Sequence, residues 1–294
     1  RTSRRAFLGA IAGLAAGDLV TSGCKAKPTP SGDSRPAGAK PARRVVSISP
    51  STTEAVWALG AIGRLVGRSR YCNFPKEVER LPQVGGYVDP NLEAILALAP
   101  DLVVGARGPI GTKLTDALGA HAISVYFPRT ESLAEIDAML LGLGDHLGLA
   151  DAAKGEVARL HTEIDSVKAR AEARPRRRAL LVFGLQPIVA AGPRSFADEL
   201  LRLAGGINVV AEGDAYPTLG FERVLALDPD VVVNAAMAEE RAIARISKDD
   251  PVWGKMRAVR EGRVASITDE SVLRPGPRVG QGLAALHAGL HGGA

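Results

Sequence analysis

Cysteine is almost absent from this chain: Cys24 and Cys72 are the only two among 294 residues. Two thiols cannot make a disulfide framework, and they are too few for a metal centre built from cysteines. Aromatics are scarce as well, at 4%, so the places where rings fall carry information. The five histidines are His121, His146, His161, His287 and His291, and only the last two share a helical i,i+4 spacing. That pair sits close to Gly292-Gly293, where a fraying helix end is the simpler reading. There is no Gly-x-Ser-x-Gly, no His-Glu-x-x-His, no phosphate loop and no dinucleotide fingerprint. These absences argue against an enzyme, a resident cofactor and a bound metal. The only dense basic run is Arg174-Pro-Arg-Arg-Arg178, with no aromatics interleaved, so nucleic acid is not an expected partner.

What is present begins with an N-terminal targeting pattern. Arg4-Arg5 precedes Ala6-Phe7-Leu8 and an apolar stretch to Ala16. That stretch is too short to span a bilayer and has the form of a signal peptide, with a twin-arginine export pattern. Thr21-Ser22-Gly23-Cys24 is similar to a bacterial lipobox, which makes Cys24 the expected site of acylation, although Thr21 stands where Leu is usual and Asp18 interrupts the apolar run. We expect residues 1–23 to be an export signal. Residues 24–42, rich in Pro, Gly, Ser, Ala and Lys, read as a flexible tether holding a globular body off the membrane.

The body carries one phrase twice. Residues 91–104 (Asn-Leu-Glu-Ala-Ile-Leu-Ala-Leu-Ala-Pro-Asp-Leu-Val-Val) align with 220–233 (Gly-Phe-Glu-Arg-Val-Leu-Ala-Leu-Asp-Pro-Asp-Val-Val-Val). Glu93, Pro100 and Asp101 match Glu222, Pro229 and Asp230 at one constant offset. Each copy predicts a short helix, a Pro-Asp break and a buried strand, at a spacing that suits a whole lobe. Strands at 44–48, 65–67, 102–104 and 123–127 alternate with helices, which predicts a parallel sheet covered on both faces. Ser51-x-x-Glu54 has the form of a capping box opening the first helix. The expected fold is α/β: two similar lobes with mainly parallel sheets, residues 43–147 and 176–294, with a ligand cleft between them. A single long helix within 148–175, apolar at Val157, Leu160, Ile164 and Val167, joins them and should keep closure small.

Three of the four tyrosines fall in predicted loops: Tyr71, Tyr87 and Tyr216. Tyr87 stands six residues before Glu93, and Tyr216 six before Glu222, so the repeat extends to an aromatic in each lobe. Each ring either packs its own loop or faces the cleft, where paired rings could sandwich a flat ligand. Glu93 and Glu222 lie in the first turn of their helices. There they either complement the helix dipole or present one carboxylate per lobe to a two-fold partner.

From about Arg43 onward the chain resembles the class III substrate-binding proteins of bacterial ABC importers, which take vitamin B12, haem or iron-siderophores. The resemblance rests on Val45–Glu54, Asn91–Val104, Ala191–Ser195, Ala204–Asn208, Glu222–Val233 and Arg274-Pro-Gly-Pro-Arg278, in that order over nearly the whole body. Arg70-Tyr71-Cys72-Asn73-Phe74-Pro75 and Tyr87 are most similar to the corrinoid-binding branch.

The resemblance implies a corrinoid held between aromatics of both lobes: Tyr71, with Tyr87 and Tyr216 where a relative has tryptophan. Ala106 departs from an expected tryptophan, with Arg107 beside it able to reach the cleft. Asp269 (or Glu270) and Arg274 match an acid and a base at the ligand periphery. Glu93 and Glu222 match glutamates that dock onto the dimeric permease. The protein would then be a monomer, periplasmic or on the cell surface, lipid-anchored after export, with no cofactor beyond the cobalt corrinoid it carries as cargo. Haem or a ferric siderophore is the rival cargo, the latter drawing on Arg68, Arg70 and Arg107. A metal-dependent enzyme on a similar frame is the rival class. Cys72 reads as a small residue packed beneath its loop.

Overall fold

The computed structural model describes residues 33–34, 40–107, 111–236, 246–272 and 274–292. The export signal and Cys24 lie outside the described residues. Among the described residues, no helix is long and apolar enough to cross a membrane.

The first lobe is organised by short strands, of which the central two, β2 and β4, are buried throughout. They are β1 (Asp33–Ser34), β2 (Val45–Ser47), β3 (Leu65–Arg68), β4 (Leu102–Val104) and β5 (Ser124–Tyr126), in the order β1-β5-β4-β2-β3. All pair in parallel except β1. Alternate side chains feed two cores, as the two-residue period of a strand requires. Val46, Val103 and Val125 pack with Ile95 of α2 (Leu92–Ala97) and with Leu114 and Leu118 of α3 (Gly111–Ala120). Val45, Leu102, Val104 and Tyr126 face the other way, toward α1 (Pro50–Ala58) and α4 (Leu133–Leu147).

The second lobe has β6 (Arg177–Leu185), β7 (Ile188–Ala190), β8 (Gly206–Asn208), β9 (Thr218–Leu219), β10 (Val231–Asn234) and β11 (Val264–Ser266). Their order is β11-β10-β6-β7-β9, with β8 also on β6. The core pairings β6/β8, β6/β10 and β10/β11 are parallel, whereas β7 and β9 are antiparallel additions at one edge. Its helices are α6 (Phe196–Leu203), α7 (Phe221–Leu227) and α8 (Val279–His291), with one further turn at Arg257–Arg260. Ser195 caps α6 by accepting from the Asp198 amide at 3.0 Å.

The connecting helix is α5 (Ala150–Glu172), and Leu160, Ile164 and Val167 are buried as their spacing predicts. It is more than a strut. Its buried face belongs to one apolar cluster that runs from Val45 and Leu102 through Met139 and Leu143 to Leu181, Val233 and Leu286. The lobes therefore share a continuous core under α4, α5 and α8.

Two sequence expectations differ from the structure. Asp33–Ser34, within the stretch read as a tether, run antiparallel to Tyr126 and Val125. Asp33 also meets His146 at 3.1 Å, and the buried Ala42 donates its amide to the His146 carbonyl. Packing thus starts before residue 43, because the open edge of β5 offers unpaired backbone groups. The capping box at Ser51–Glu54 does not form. Ser49 is the N-cap of α1, without a side-chain cap bond, and Glu54 turns instead to two arginines of the other lobe.

The repeated phrase proves to be a clasp at the base of each lobe. Asp101 accepts from the amides of Arg43 and Arg44, at 2.9 and 3.0 Å, just before β2. The Arg44 guanidinium reaches back to the Leu98 and Ala99 carbonyls at the end of α2. In the second lobe Asp230 accepts from the Arg178 amide at 3.2 Å, and Arg178 reaches the Leu227 carbonyl at 2.9 Å. Both copies turn through a left-handed residue just before the proline, Ala99 at φ 43° and Asp228 at φ 36°. A residue before proline is barred from continuing the helix, so the break falls at matching places.

Candidate functional site

In parallel α/β sheets the loops at the carboxyl ends of the strands form the ligand-binding edge. Here those loops come from both lobes. From lobe one come the turn after β2, Arg70–Pro75 after β3, Gly105–Arg107 after β4 and Phe127–Glu131 after β5. From lobe two comes Ile267–Arg278 after β11, whereas Gly192 follows the antiparallel β7 and Tyr216 precedes β9 on the added edge.

The lobes are joined at this edge by buried charge. Glu54, whose side chain is 1% exposed, accepts from Arg274 Nη1 at 3.0 Å and from Arg278 Nε and Nη2, both at 2.9 Å. Each arginine is 11% exposed. Arg274 also pairs with Glu270, and Arg278 lies 3.6 Å from Asp269. The Arg278 guanidinium covers the Phe74 ring at 3.9 Å, and Phe74 meets Trp57 edge-on at 5.1 Å. Asn73 Nδ2 donates to Glu270 across the lobes at 3.4 Å. Burial of the guanidinium of Arg278 opposes its charge, but Glu54, Asp269 and Glu270 more than offset that and raise its pKa.

The resemblance gave Arg274 to the ligand periphery; the structure holds its guanidinium between Glu54 and Glu270. Asp269 is more open, 44% exposed at its side chain, and accepts from the Ser271 amide at 2.8 Å. Sequence reasoning missed Glu54, Arg278, Phe74 and Trp57. The signal for the ion cluster was present in Arg274-Pro-Gly-Pro-Arg278, but its partner sat inside a plausible cap.

Three tyrosines stand around this edge. Tyr71 is half exposed, with the Arg70 guanidinium 5.4 Å from its ring centre, and Arg70 pairs with Asp89. Tyr87 rides on a tight loop that needs glycine on its approach. Gly85 has φ 94°, and a Cβ at Gly86 would run into Asp89 and Arg70. Tyr216 is 44% exposed and packs edge-on against Phe183 at 6.0 Å. Its loop is bonded to Gly192, whose amide donates to the Ala215 carbonyl at 2.8 Å. Burial, and then the charge of Glu131, raise the Tyr87 phenol. The same two causes, in the same order, push the Tyr216 phenol up to about 12.

Arg107 is exposed on the loop after β4, its amide donating to the Pro128 carbonyl at 2.7 Å and its Nε to the Phe127 carbonyl at 3.4 Å. The Ala106 amide is held by Ser49 Oγ at 2.9 Å. Cys72 is fully buried under the Tyr71 loop, bonded to Thr53 and Ser69 hydroxyls, as expected of a packed small residue. Glu93 and Glu222 are exposed in the first turns of α2 and α7, one per lobe. His287 Nδ1 donates to the Ala204 carbonyl at 3.0 Å at the far end of lobe two. Among the described residues no three His, Cys, Asp or Glu side chains gather as a metal site.

A family model described as periplasmic binding protein matches residues 45–271. The chain is 30% identical over 196 residues to the vitamin B12-binding protein of Yersinia pseudotuberculosis, covering 66% of this chain and 70% of that one. It is 28% identical over 246 residues to the vitamin B12-binding protein of Vibrio parahaemolyticus, covering 81% and 86%. Among solved structures, a periplasmic heme binding protein from Pseudomonas aeruginosa superposes with TM-score 0.75 at 30% identity, over 86% of this chain and 94% of that one. The periplasmic vitamin B12 binding protein of Vibrio cholerae superposes with TM-score 0.72 at 24% identity, over 85% and 97%, which speaks to the two-lobed fold.

Proposed function

The chain belongs to the periplasmic binding proteins that serve ABC importers, and from that premise we propose that it captures a corrinoid in its interlobe cleft and hands it to a permease. Capture needs no covalent chemistry. Tyr71, Tyr87 and Tyr216 supply apolar faces for a flat macrocycle, while their hydroxyls, Arg107 and Asp269 meet its polar rim. Relatives named for vitamin B12 binding support this choice of cargo.

The observation that carries it is the state of the cations at the cleft. Among the described residues, Arg70, Arg129, Arg274 and Arg278 each already face a carboxylate, and Arg68 is buried on the Ser69, Cys72 and Glu79 carbonyls, which leaves Arg107, of the three arginines a siderophore would draw on, exposed without a carboxylate. A polyanionic ferric chelate would want such arginines free. A neutral, amide-rimmed corrinoid does not. Haem is the second reading, favoured by the solved haem-binding protein at 30% identity. It would recruit a tyrosinate as axial ligand, from Tyr71 or Tyr87, and burial together with Glu131 opposes loss of the proton from Tyr87.

Glu93 and Glu222 extend from matching helix starts and fit docking onto a dimeric permease, and Cys24 would carry the lipid that keeps a monomeric body near the membrane. Titration of the purified protein with cyanocobalamin and with haemin, followed by absorbance and tryptophan fluorescence, tests the cargo. One-to-one binding of cyanocobalamin is expected. A haemin complex with a shifted Soret band and no response to cyanocobalamin would overturn the corrinoid reading.

A further inference from the structure

The parallel strands of lobe two begin at Arg177, Gly206, Val231 and Val264. That amino edge lies away from the cleft, because the nine residues of β6 carry the chain roughly 25 Å. Three helices end there: α5 at Glu172, α6 at Leu203 and α8 at His291. Two hollows lie between their ends. One, of about 320 Å³, is lined by Lys168, Arg174, Arg176 and Arg202. The other, of about 250 Å³, is lined by Arg170, Arg174, His287 and His291.

Part of this charge is answered within the chain. Lys168 pairs with Asp165 at 3.1 Å and Arg202 with Asp198 at 3.3 Å. Arg170, Arg174, Arg176 and Arg177 carry no ion pair among the described residues, and Arg176 reaches only the Gly206 carbonyl, at 2.9 Å. The first three are exposed. A helix end attracts cations, being equivalent to about half a negative charge. Three such ends, with Glu172 beside the larger hollow, do not cancel four unpaired arginines. The face is not purely polar either: Ile207 follows Gly206 and is 43% exposed. Free phosphate has no use for an exposed isoleucine. Single-stranded nucleic acid favours rings among the basic groups, which the run Arg174–Arg178 lacks. A layer of anionic headgroups over hydrocarbon takes both the arginines and the apolar side chain.

We propose that the amino edge of lobe two is a docking face for an anionic phospholipid surface, held by Arg170, Arg174, Arg176 and Arg177, with Ile207 entering the headgroup layer. The face lies at the opposite edge from the cleft, so the identity of the cargo does not bear on it. A body resting on a membrane by this face would keep its cleft turned away from the lipid. Each arginine near an anionic membrane strengthens binding about fivefold, so loss of three should weaken it on the order of a hundredfold before screening by salt.

Residues 32–294 form a compact unit that holds the whole described core, so the body is tested without export signal or acyl chain. Sedimentation measures its partition onto vesicles of phosphatidylglycerol and phosphatidylcholine in equal parts, and onto phosphatidylcholine alone. Wild type should bind the anionic vesicles and not the neutral ones. Arg170→Gln, Arg174→Gln and Arg176→Gln together should lower the partition constant at least tenfold. Lysine at the same three sites should keep it within about threefold, as should a control that removes equal charge from exposed sites elsewhere, Arg80→Gln with Lys113→Gln and Lys248→Gln. Ile207→Ser, at unchanged charge, should weaken binding at least about threefold. A smaller loss in either face variant, a control or lysine variant outside its limit, or equal binding to neutral vesicles overturns the proposal. So does tighter binding to a short DNA duplex than to the vesicles, or release from the vesicles by inorganic phosphate beyond that by sodium chloride of equal ionic strength.

Discussion

Replacing Glu54 by alanine should destabilise the protein by about 3 kcal/mol, and the structure fixes why. The carboxylate is 1% exposed and accepts three charge-assisted bonds from Arg274 and Arg278. Removing one member of a buried ion cluster leaves the others desolvated and uncompensated, which typically costs about 3–5 kcal/mol. Here the loss is cushioned. Arg274 keeps Glu270, and Arg278 keeps the Phe74 face at 3.9 Å and Asp269 at 3.6 Å. The low end of the range therefore applies, equivalent to a melting temperature lower by roughly 6–12 °C for a body of this size. Because Glu54 belongs to lobe one and both arginines to lobe two, the unfolding transition should also broaden as the lobes lose coupling. Urea denaturation and thermal melts followed by circular dichroism measure both effects. Replacing all three (Glu54→Leu, Arg274→Met, Arg278→Met) should recover to within about 1 kcal/mol of wild type, since an apolar cluster removes the desolvation cost. A Glu54→Ala variant that loses less than about 1 kcal/mol would refute the claim that this cluster ties the lobes together.

A Cβ at Gly192 would collide with the Asp214 carbonyl, so Gly192→Ala should lower stability by about 1–3 kcal/mol and weaken ligand binding by displacing Tyr216, both read by melts and titration. The Tyr216 phenol, pushed up to about 12 by burial and Glu131, keeps its proton while the unfolded chain loses it above about 10. Its contribution is thus complete below about pH 10 and is lost as pH rises through about 12, so stability between those values should fall less steeply in Tyr216→Phe. Charge reversal at Glu93 and Glu222 should leave the cyanocobalamin dissociation constant within about twofold and abolish uptake in cells; a fall in affinity instead would place them in the pocket.

The two-lobed plan was legible because its signals are local: Leu102–Val104 and Val231–Asn234 are apolar runs after a Pro-Asp break, and the 3.6-residue period of Leu160, Ile164 and Val167 marks α5. The tyrosine loops were legible for the same reason. Glu54 was not, since its partner Arg274 is 220 residues away and Ser-x-x-Glu fits a helix cap equally well in one dimension. The clasps at Asp101 and Asp230 were half visible: the aspartates repeat at a fixed offset, but Arg44 and Arg178, which complete them, do not share that offset.

The pairing of Arg70, Arg129, Arg274 and Arg278 with carboxylates has a kinetic side. Compensated pairs project almost no potential beyond a Debye length, about 8 Å at physiological salt. A ligand would approach such a cleft by plain diffusion, without steering. Association should then run at nearly the same rate in dilute and in briny surroundings, a useful property for a receptor working outside the cytoplasm, where the ionic strength follows the environment.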